Sequence, residues 1–381
     1  MLIKPDLTRF AKIKVVGVGG GGGNAVASMI NTGTIHGVDF VTINTDAQVL
    51  LANPAPTKIQ IGENLTKGLG SGGNPDVGRQ AAEESVKKIE EKLADADMVF
   101  ITAGMGGGKG TGASAVIADI AKKSGALTVA VVTKPFAFEG TSRMVTAEEG
   151  VASLQDKVDA LIVIPNQRIL EVVDKKVTLI EAFRMADSVL NSGVQGISDL
   201  IVSPGLINVD FADVRSIMTA AGSALMGIGT GSGENRASMA ARQAISSPLL
   251  EITIDGARGV LFNITGGPDM TMNEVNEAAK IIGAAADADA KIIFGATIDE
   301  TLIDQIKVTV IATGFDENRQ RLKDLRFERN FTPQVSQMSQ NMTNVTNQTD
   351  DDTIEKPAVE TPAADEFGDD FDIPAFLRKG K

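Results

Sequence analysis

The chain of 381 residues has no cysteine, no tryptophan and no tyrosine, and its one histidine is His36. Without cysteine there is no disulfide, thiol nucleophile or thiolate zinc site. A single imidazole supports neither a histidine-rich metal site nor a serine triad. The missing indole and phenol rings leave poor stacking platforms for single-stranded nucleic acid. Positive charge is also in short supply: 36 basic residues face 49 acidic ones, a formal net charge of −13, which disfavours capture of a nucleic-acid backbone. No apolar run approaches the roughly 18 residues of a spanning helix. The opening MLIKPDLTRF lacks the apolar stretch of a secretory signal. These absences together predict a cytosolic protein that binds no nucleic acid and inserts into no membrane.

What is present is glycine, 40 residues of it, in an otherwise globular composition with 43 % hydrophobic and 22 % charged residues. The length argues for two domains and an addition. Residues 12–18 (KIKVVGV) read as a β-strand running into Gly19–Gly23, with a helical pattern from Asn24 to about Ile30. Strands are predicted again near 38–43, 97–103, 126–133 and 158–164, with helical stretches such as 77–93 between them. Strands alternating with helices imply a mostly parallel sheet covered on both faces.

A long helix is predicted over 178–203. Thr178 and Glu181 form a capping box, and Leu179, Phe183, Ala186, Leu190, Val194, Ile197 and Ile201 recur at spacings of three and four before Pro204 ends the pattern. About 24 residues at 1.5 Å each give about 36 Å, enough to cross one domain and reach another. A helical stretch near 213–221 and strands near 223–230, 258–265, 291–298 and 305–313 read as a smaller second α/β domain. The predicted divisions are an extension at 1–11, a glycine-loop domain at 12–177, the connecting helix, a second domain at 204–316, a linker at 317–371 and a terminal segment at 372–381.

Within 331–371 nine acidic residues stand against one lysine, Lys356, and large apolar residues are few. Such a stretch cannot bury enough surface to offset chain entropy, so disorder is expected from about 331. The segment closes on FDIPAFLRKGK. There Asp372 is placed to cap a short helix, Pro374 is tolerated in its first turn, and Ile373, Phe376 and Leu377 share a face followed by Arg378. An amphipathic tip on a tether suits a peptide that folds into a partner's groove, the alternative being a frayed tail.

Two glycine-rich segments carry the chemistry. In the first, Gly17, Gly19 and Gly22 satisfy a dinucleotide fingerprint, with Asp39 or Asp46 as the later acid, leaving a nicotinamide-dependent oxidoreductase of Rossmann type as one reading. The second, Gly104-Met105-Gly106-Gly107-Gly108-Lys109-Gly110-Thr111-Gly112, follows an apolar strand and precedes a helix predicted from about Ala113. Successive amides without side chains can close around phosphate oxygens at the positive end of that helix. It is not a P-loop, because alignment on Lys109 puts Ala103 at the first glycine and Gly110 at the hydroxyl position.

Seven motifs in order, GVGGGGGNAV (17–26), NTDAQ (44–48), GLGSGGNPDVG (68–78), the 104–112 loop, VVTKPFAFEG (131–140), NVDFAD (208–213) and DIPAFLRK (372–379), resemble the tubulin/FtsZ family of GTPases, in particular its bacterial cell-division members. The resemblance implies a tubulin-like two-domain α/β fold. It comprises a parallel-sheet GTP-binding domain, a long central helix, a smaller α/β carboxy-terminal domain and a disordered tail.

The resemblance further implies that Gly20, Gly21, Gly22, Gly23 and Asn24 lie against the nucleotide, and that Gly106, Gly107, Gly108, Lys109, Gly110 and Thr111 wrap its phosphates. Glu139 and Arg143 would flank ribose and phosphates, and Asn44, Asn166, Phe183 and Asp187 the base. Phe183 and Asp187, four apart on a helix, offer a ring and two acceptor oxygens matched to the N1 and N2 donors of guanine. Asn208, Asp210 and Asp213 would complete the site of a neighbouring subunit, so that GTP is hydrolysed where subunits meet head to tail. NVDFAD also reads as a plain helix cap opened by Asp210. Mg²⁺ is implied with the phosphates, without a direct protein ligand. The terminal peptide, Asp372 to Arg378, would bind membrane-tethering division proteins such as FtsA or ZipA and regulators such as MinC, at a ring at midcell.

Two residues depart from the family pattern: Ser71 stands where alanine is common, which puts little in doubt, and Lys109 stands where the glycine loop usually carries its first threonine. GTP binding is expected to survive this change, since the backbone amides remain. A filament that binds without turnover is the alternative.

Overall fold

The computed structural model describes residues 11–172, 177–202, 205–207, 209–247 and 254–315. Asn208, Pro204, residues 1–10, the whole linker and the whole terminal peptide (Asp372, Ile373, Pro374, Phe376, Leu377, Arg378) lie outside them.

Ten strands and twelve helices occur among the described residues. In the first half β1 (Ile13–Val18) leads into α1 (Gly19–Thr32), and β2 (Val38–Asn44) into α2 (Ala47–Ala52). Then come β3 (Thr57–Gln60), α3 (Glu63–Thr66), α4 (Pro75–Glu84) and α5 (Val86–Leu93). β4 (Met98–Gly104) feeds α6 (Gly108–Lys123), β5 (Leu127–Lys134) feeds α7 (Thr141–Gln155), and β6 (Ala160–Pro165) feeds α8 (Asn166–Val172). α9 (Leu179–Val202) leads to α10 (Phe211–Met218), β7 (Gly222–Ser232), α11 (Arg236–Ile245), β8 (Gly259–Gly266), α12 (Met272–Ala285), β9 (Lys291–Ile298) and β10 (Gln305–Thr313).

The sheet runs β3-β2-β1-β4-β5-β6-β7-β10-β8-β9. From β3 to β6 every pairing is parallel. β1, β4 and β5 are buried almost throughout, as strands covered on both faces must be. Two cores flank this half. One packs α1 and α9 against the sheet through Ala25, Val26, Met29, Leu190, Val194 and Ile197. The other packs the opposite face under α4, α5 and α6, through Ala81, Ile89, Ile117 and Ala121. A third core fills the second half between α11, α12 and strands β8 and β10.

The two halves share a strand, a feature absent from the sequence reading. Gly222–Ala224 of β7 pair parallel with β6, and from Leu225 the same strand pairs antiparallel with β10. The α9 prediction holds: Thr178 Oγ1 accepts from Glu181 N–H at 3.3 Å, and the Glu181 carboxylate accepts from Thr178 N–H at 2.8 Å.

Three local readings are corrected. The helix expected over 77–93 is two helices broken at Ser85, whose hydroxyl accepts the Gly62 N–H at 3.1 Å and ties the break to the loop after β3. β3, α11 and α12 were not anticipated. The glycine runs are not loops ahead of later helices: α1 begins at Gly19 and α6 at Gly108, so the glycines form the first helical turns. Glycine's low helix propensity hides those starts from a periodicity reading.

Candidate functional site

Parallel strands place their carboxyl ends along one edge of the sheet, and that edge holds a cavity of ≈ 350 Å³. It is lined by Gly20, Gly21 and Asn24 after β1, Gly104 and Met105 at the end of β4, Thr133 and Pro135 at the end of β5, and Asn166 after β6. Glu139 and Arg143 close one side, while Phe183, Ala186, Asp187 and Leu190 of α9 close another.

The glycines divide by use. A Cβ on Gly20 or on Gly107 would meet nothing within 4 Å, so these backbones are open to a ligand. Neither α1 nor α6 has a side-chain cap, so the first amides of both helices keep their donors for something else. The start of α1 packs on the end of β4 and on the start of α6: a Cβ on Gly21 would lie 3.3 Å from Gly104 Cα, and one on Gly19 3.1 Å from Gly110 N. Gly22 has a packing role instead, since a Cβ there would fall 2.2 Å from the Thr102 carbonyl oxygen. Gly108 is equally confined, with Ser71 Oγ at 2.4 Å from the added carbon. Gly106 has φ +92° and donates its N–H to Thr111 Oγ1 at 2.9 Å, so Thr111 shapes the turn from within.

The dinucleotide reading lacks its acid. A Cβ on Gly17 would sit 2.4 Å from Gly22 O, a close strand–helix contact that the fingerprint allows, but neither candidate acid lines the cavity. Asp39 lies exposed near the start of β2, on the opposite edge, and Asp46 caps α2 by accepting from Gln48 N–H at 3.0 Å and Val49 N–H at 3.2 Å.

Of the predicted site residues, the cavity gathers Gly20, Gly21, Asn24, Glu139, Arg143, Asn166, Phe183 and Asp187. Gly22, Gly23, Asn44 and the 106–111 segment stand behind or beside the wall. Asn44 is buried, and its Oδ1 accepts the Asp46 N–H at 3.1 Å; Asn53 Nδ2 donates to Gly23 O at 2.7 Å. The Phe183–Asp187 pair read from its spacing lines the cavity, and Ala186 and Leu190, read only as members of the helix's apolar row, line it as well.

Polar groups in the wall are set for a ligand. Asn166 Oδ1 is buried without a hydrogen-bond partner, a state that costs about 1–3 kcal/mol until something donates to it. Burial raises the Asp187 carboxyl to about 6. Phe183 meets the buried Phe136 edge to face at 5.4 Å, and Phe136 stacks on Phe138 at 5.2 Å, which holds the Phe183 ring in place. Glu139 Oε2 pairs with Arg143 at 2.6 Å while its Oε1 accepts the Phe136 N–H at 3.0 Å. The wall therefore has no unengaged carboxylate apart from Asp187. Among the described residues no group of three His, Cys, Asp or Glu side chains is placed to hold a metal ion.

Asp210 and Asp213 are elsewhere. Asp210 caps α10, its Oδ1 accepting the Asp213 N–H at 2.8 Å, as the cap reading of NVDFAD anticipates. Arg215 of that helix donates to Gly125 O at 3.3 Å, just ahead of β5, at the amino edge of the parallel strands. The eight residues of β5, about 26 Å at 3.3 Å each, separate that edge from the cavity. No described helix is long and apolar enough to cross a membrane.

Comparison with known proteins agrees with this geometry. Residues 12–174 match the model of the Tubulin/FtsZ family GTPase domain, and 222–316 match that of the FtsZ family C-terminal domain. An empty FtsZ dimer of M. jannaschii is 47 % identical, covering 82 % of this chain and 90 % of its own, with a TM-score of 0.78. A tryptophan-to-tyrosine mutant of M. jannaschii FtsZ is 48 % identical over 80 % of this chain and 91 % of its own, with a TM-score of 0.77. CetZ2 of Haloferax volcanii, at 20 % identity, covers 84 % of this chain and 100 % of its own with a TM-score of 0.64, and shares the fold. With both family domains in place and nearly half of all aligned positions identical over four-fifths of its length, the chain belongs to the FtsZ family of tubulin-like GTPases.

Proposed function

We propose that the chain is an assembling GTPase that polymerises head to tail and hydrolyses GTP only where two subunits meet. The observation that carries this reading is the separation of binding wall and acids. Phosphates would rest on the open amides at the starts of α1 and α6, and guanine on Phe183, Asp187 and Asn166, while Asp210 and Asp213 sit on the opposite edge of the same sheet. Their carboxylates would reach a bound γ-phosphate when the amino edge of one subunit stands on the carboxyl edge of the next, and Asn208 stands two positions before Asp210 in the sequence. That contact is heterologous, so it propagates into a filament instead of closing into a dimer.

Phosphoryl transfer needs positioning and charge stabilisation more than covalent help from the protein, so two acids delivered by a neighbour, which orient water in a closed interface, are sufficient. Mg²⁺ fits this site as an ion carried by phosphate oxygens and water, and would supply charge neutralisation there. Filaments of this kind would form the cytokinetic ring at midcell. The peptide from Asp372 to Arg378 would tether them to FtsA- or ZipA-like adaptors and receive MinC-like regulators.

The test is GTP turnover per subunit against protein concentration, with sedimentation of Asp213→Ala. Turnover should rise steeply above a threshold concentration, and Asp213→Ala should pellet with GTP while releasing little phosphate. Dilute monomers as active per molecule as concentrated protein would overturn the reading. Pelleting of wild type with no phosphate release would favour the non-hydrolysing filament.

A further inference from the structure

Asp213 sits in the first turn of α10 and gives its N–H to the Asp210 cap, but among the described residues no hydrogen bond or ion pair holds its own carboxylate. Where that carboxylate points is therefore set by how the helix main chain is anchored. Among the described residues three hydrogen bonds fasten α10 to other elements. Arg215 donates to Gly125 O at 3.3 Å, Thr313 Oγ1 to Ile217 O at 3.4 Å, and Lys291 Nζ to Ser216 Oγ at 2.6 Å. The last is the shortest, and it continues: Ser216 Oγ donates to Asp213 O at 2.7 Å. A hydroxyl that donates to one oxygen can accept from an ammonium at the same time, so Lys291, Ser216 and the Asp213 carbonyl form one directed chain.

The far end of this chain is firmly mounted. Lys291 opens β9, the last strand of the sheet, where its N–H donates to Arg258 O at 2.8 Å and its partner in register is Gly259 of β8. A Cβ on Gly259 would lie 3.0 Å from Ile217 Cγ2, so α10 rests directly on the starts of these strands. Five residues along β9, about 17 Å at 3.3 Å each, Ala296 O accepts the Leu206 N–H at 2.9 Å and Ala296 N–H donates to Ile207 O at 3.1 Å. The chain before the two acids and the helix after them are thus tied to one strand, and Asp210 and Asp213 fall between the ties. Lys291 makes no ion pair among the described residues, and a charged donor holds a hydroxyl more strongly than a neutral one.

We propose that Lys291 is a positioning residue for hydrolysis: through Ser216 it fixes the main chain of Asp213, and so the aim of that carboxylate at the γ-phosphate held by the neighbouring subunit. Catalysis by positioning is sensitive to small displacements of the acting group, so a loosened α10 slows the reaction without touching the wall that binds GTP. The inference rests on the shared-site reading and adds the residue of the second half that aims the acid. Lys291 serves a site that its own subunit does not bind, so its loss is felt in trans.

The experiment measures steady-state GTP turnover of the full chain in Mg²⁺, above the threshold concentration. Lys291→Met should lower kcat about fivefold while KM and the threshold stay within about twofold, Ser216→Ala should give the same loss, and Lys291→Arg should recover most of it. Equimolar Asp187→Ala, with sound acids on a defective wall, should then raise the total turnover of Lys291→Met about threefold, because half of the sound walls receive a well-aimed acid. No loss in Lys291→Met, a loss that Lys291→Arg does not relieve, or no gain from an Asp187→Ala partner that does restore Asp213→Ala would overturn the assignment. Failure of that partner to restore even Asp213→Ala would instead remove the shared-site reading beneath it.

Discussion

On the proposed reading, Asp187 is the single group that decides nucleotide choice. Its carboxyl is raised to about 6 by burial, so in the empty protein the proton is held more tightly than in the unfolded chain, whose value lies near 3.8. The sign follows from linkage: the folded state binds the extra proton between these values, so stability falls as pH rises from about 4 to about 6 and stays lower above. An ionised carboxylate is the form that accepts from guanine N1 and N2. GTP affinity should therefore be flat above pH 7 and drop by up to about tenfold per pH unit below 6. Asp187→Asn should be the more thermostable protein at pH 8 yet lose its preference for guanine over adenine. Nucleotide titrations across pH with thermal melts check both; affinity unchanged at pH 5 would count against the assignment. The pairing of Phe183 with Asp187 was legible from their spacing. The burial that perturbs Asp187 was not, because it depends on residues remote in sequence, such as Gly104, Thr133 and Asn166, that line the same cavity.

Among the elements, the contact of α4 with α6 shows what glycine does inside a helix. A Cβ on Gly112 would fall 1.9 Å from the Pro75 carbonyl oxygen and one on Gly78 2.2 Å from Gly108 O, so the two helices touch backbone to backbone. Asn74 caps α4, its side chain accepting the Asp76 N–H at 2.8 Å, and a Cβ on Gly108 would lie 2.7 Å from Asn74 O. The same packing that joins the helices thus seats the 68–73 segment beside Lys109. Gly112→Ala should push the helices apart and destabilise the protein by about 2–3 kcal/mol, the ordinary cost of overpacking, although alanine is the better helix former. Urea unfolding checks this. A neutral or stabilising effect would mean that the contact gives way easily. Strand positions and the capped start of α9 followed from apolar runs and the Thr178–Glu181 pair. The break at Ser85 did not, since its cause is a hydrogen bond from Gly62, more than twenty residues away in sequence.

At the scale of the molecule, the parallel sheet separates two groups of residues by edge, with the cavity at the carboxyl ends of the strands and α10, which carries Asp213, beside the amino ends. If each site is shared, two defective proteins should repair one another. Asp213→Ala, intact in its wall, mixed with Asp187→Ala, intact in its acids, should regain about a quarter of wild-type turnover from the half-and-half contacts that mixing statistics allow. Each alone should be nearly inactive. A mixture no better than its parts would sink the shared site. By itself the sequence determined the alternation of strands and helices, the long capped helix, the glycine turns and the family motifs, because periodicity, capping and turn chemistry act between neighbours along the chain. Only the tertiary structure decided which glycines are open and which are packed, that β7 belongs to both halves, that Asn166 and Asp187 are desolvated, and that Asp210 and Asp213 do not line the cavity. Those are properties of distance and solvent exclusion, which arise when segments remote in sequence close on one another.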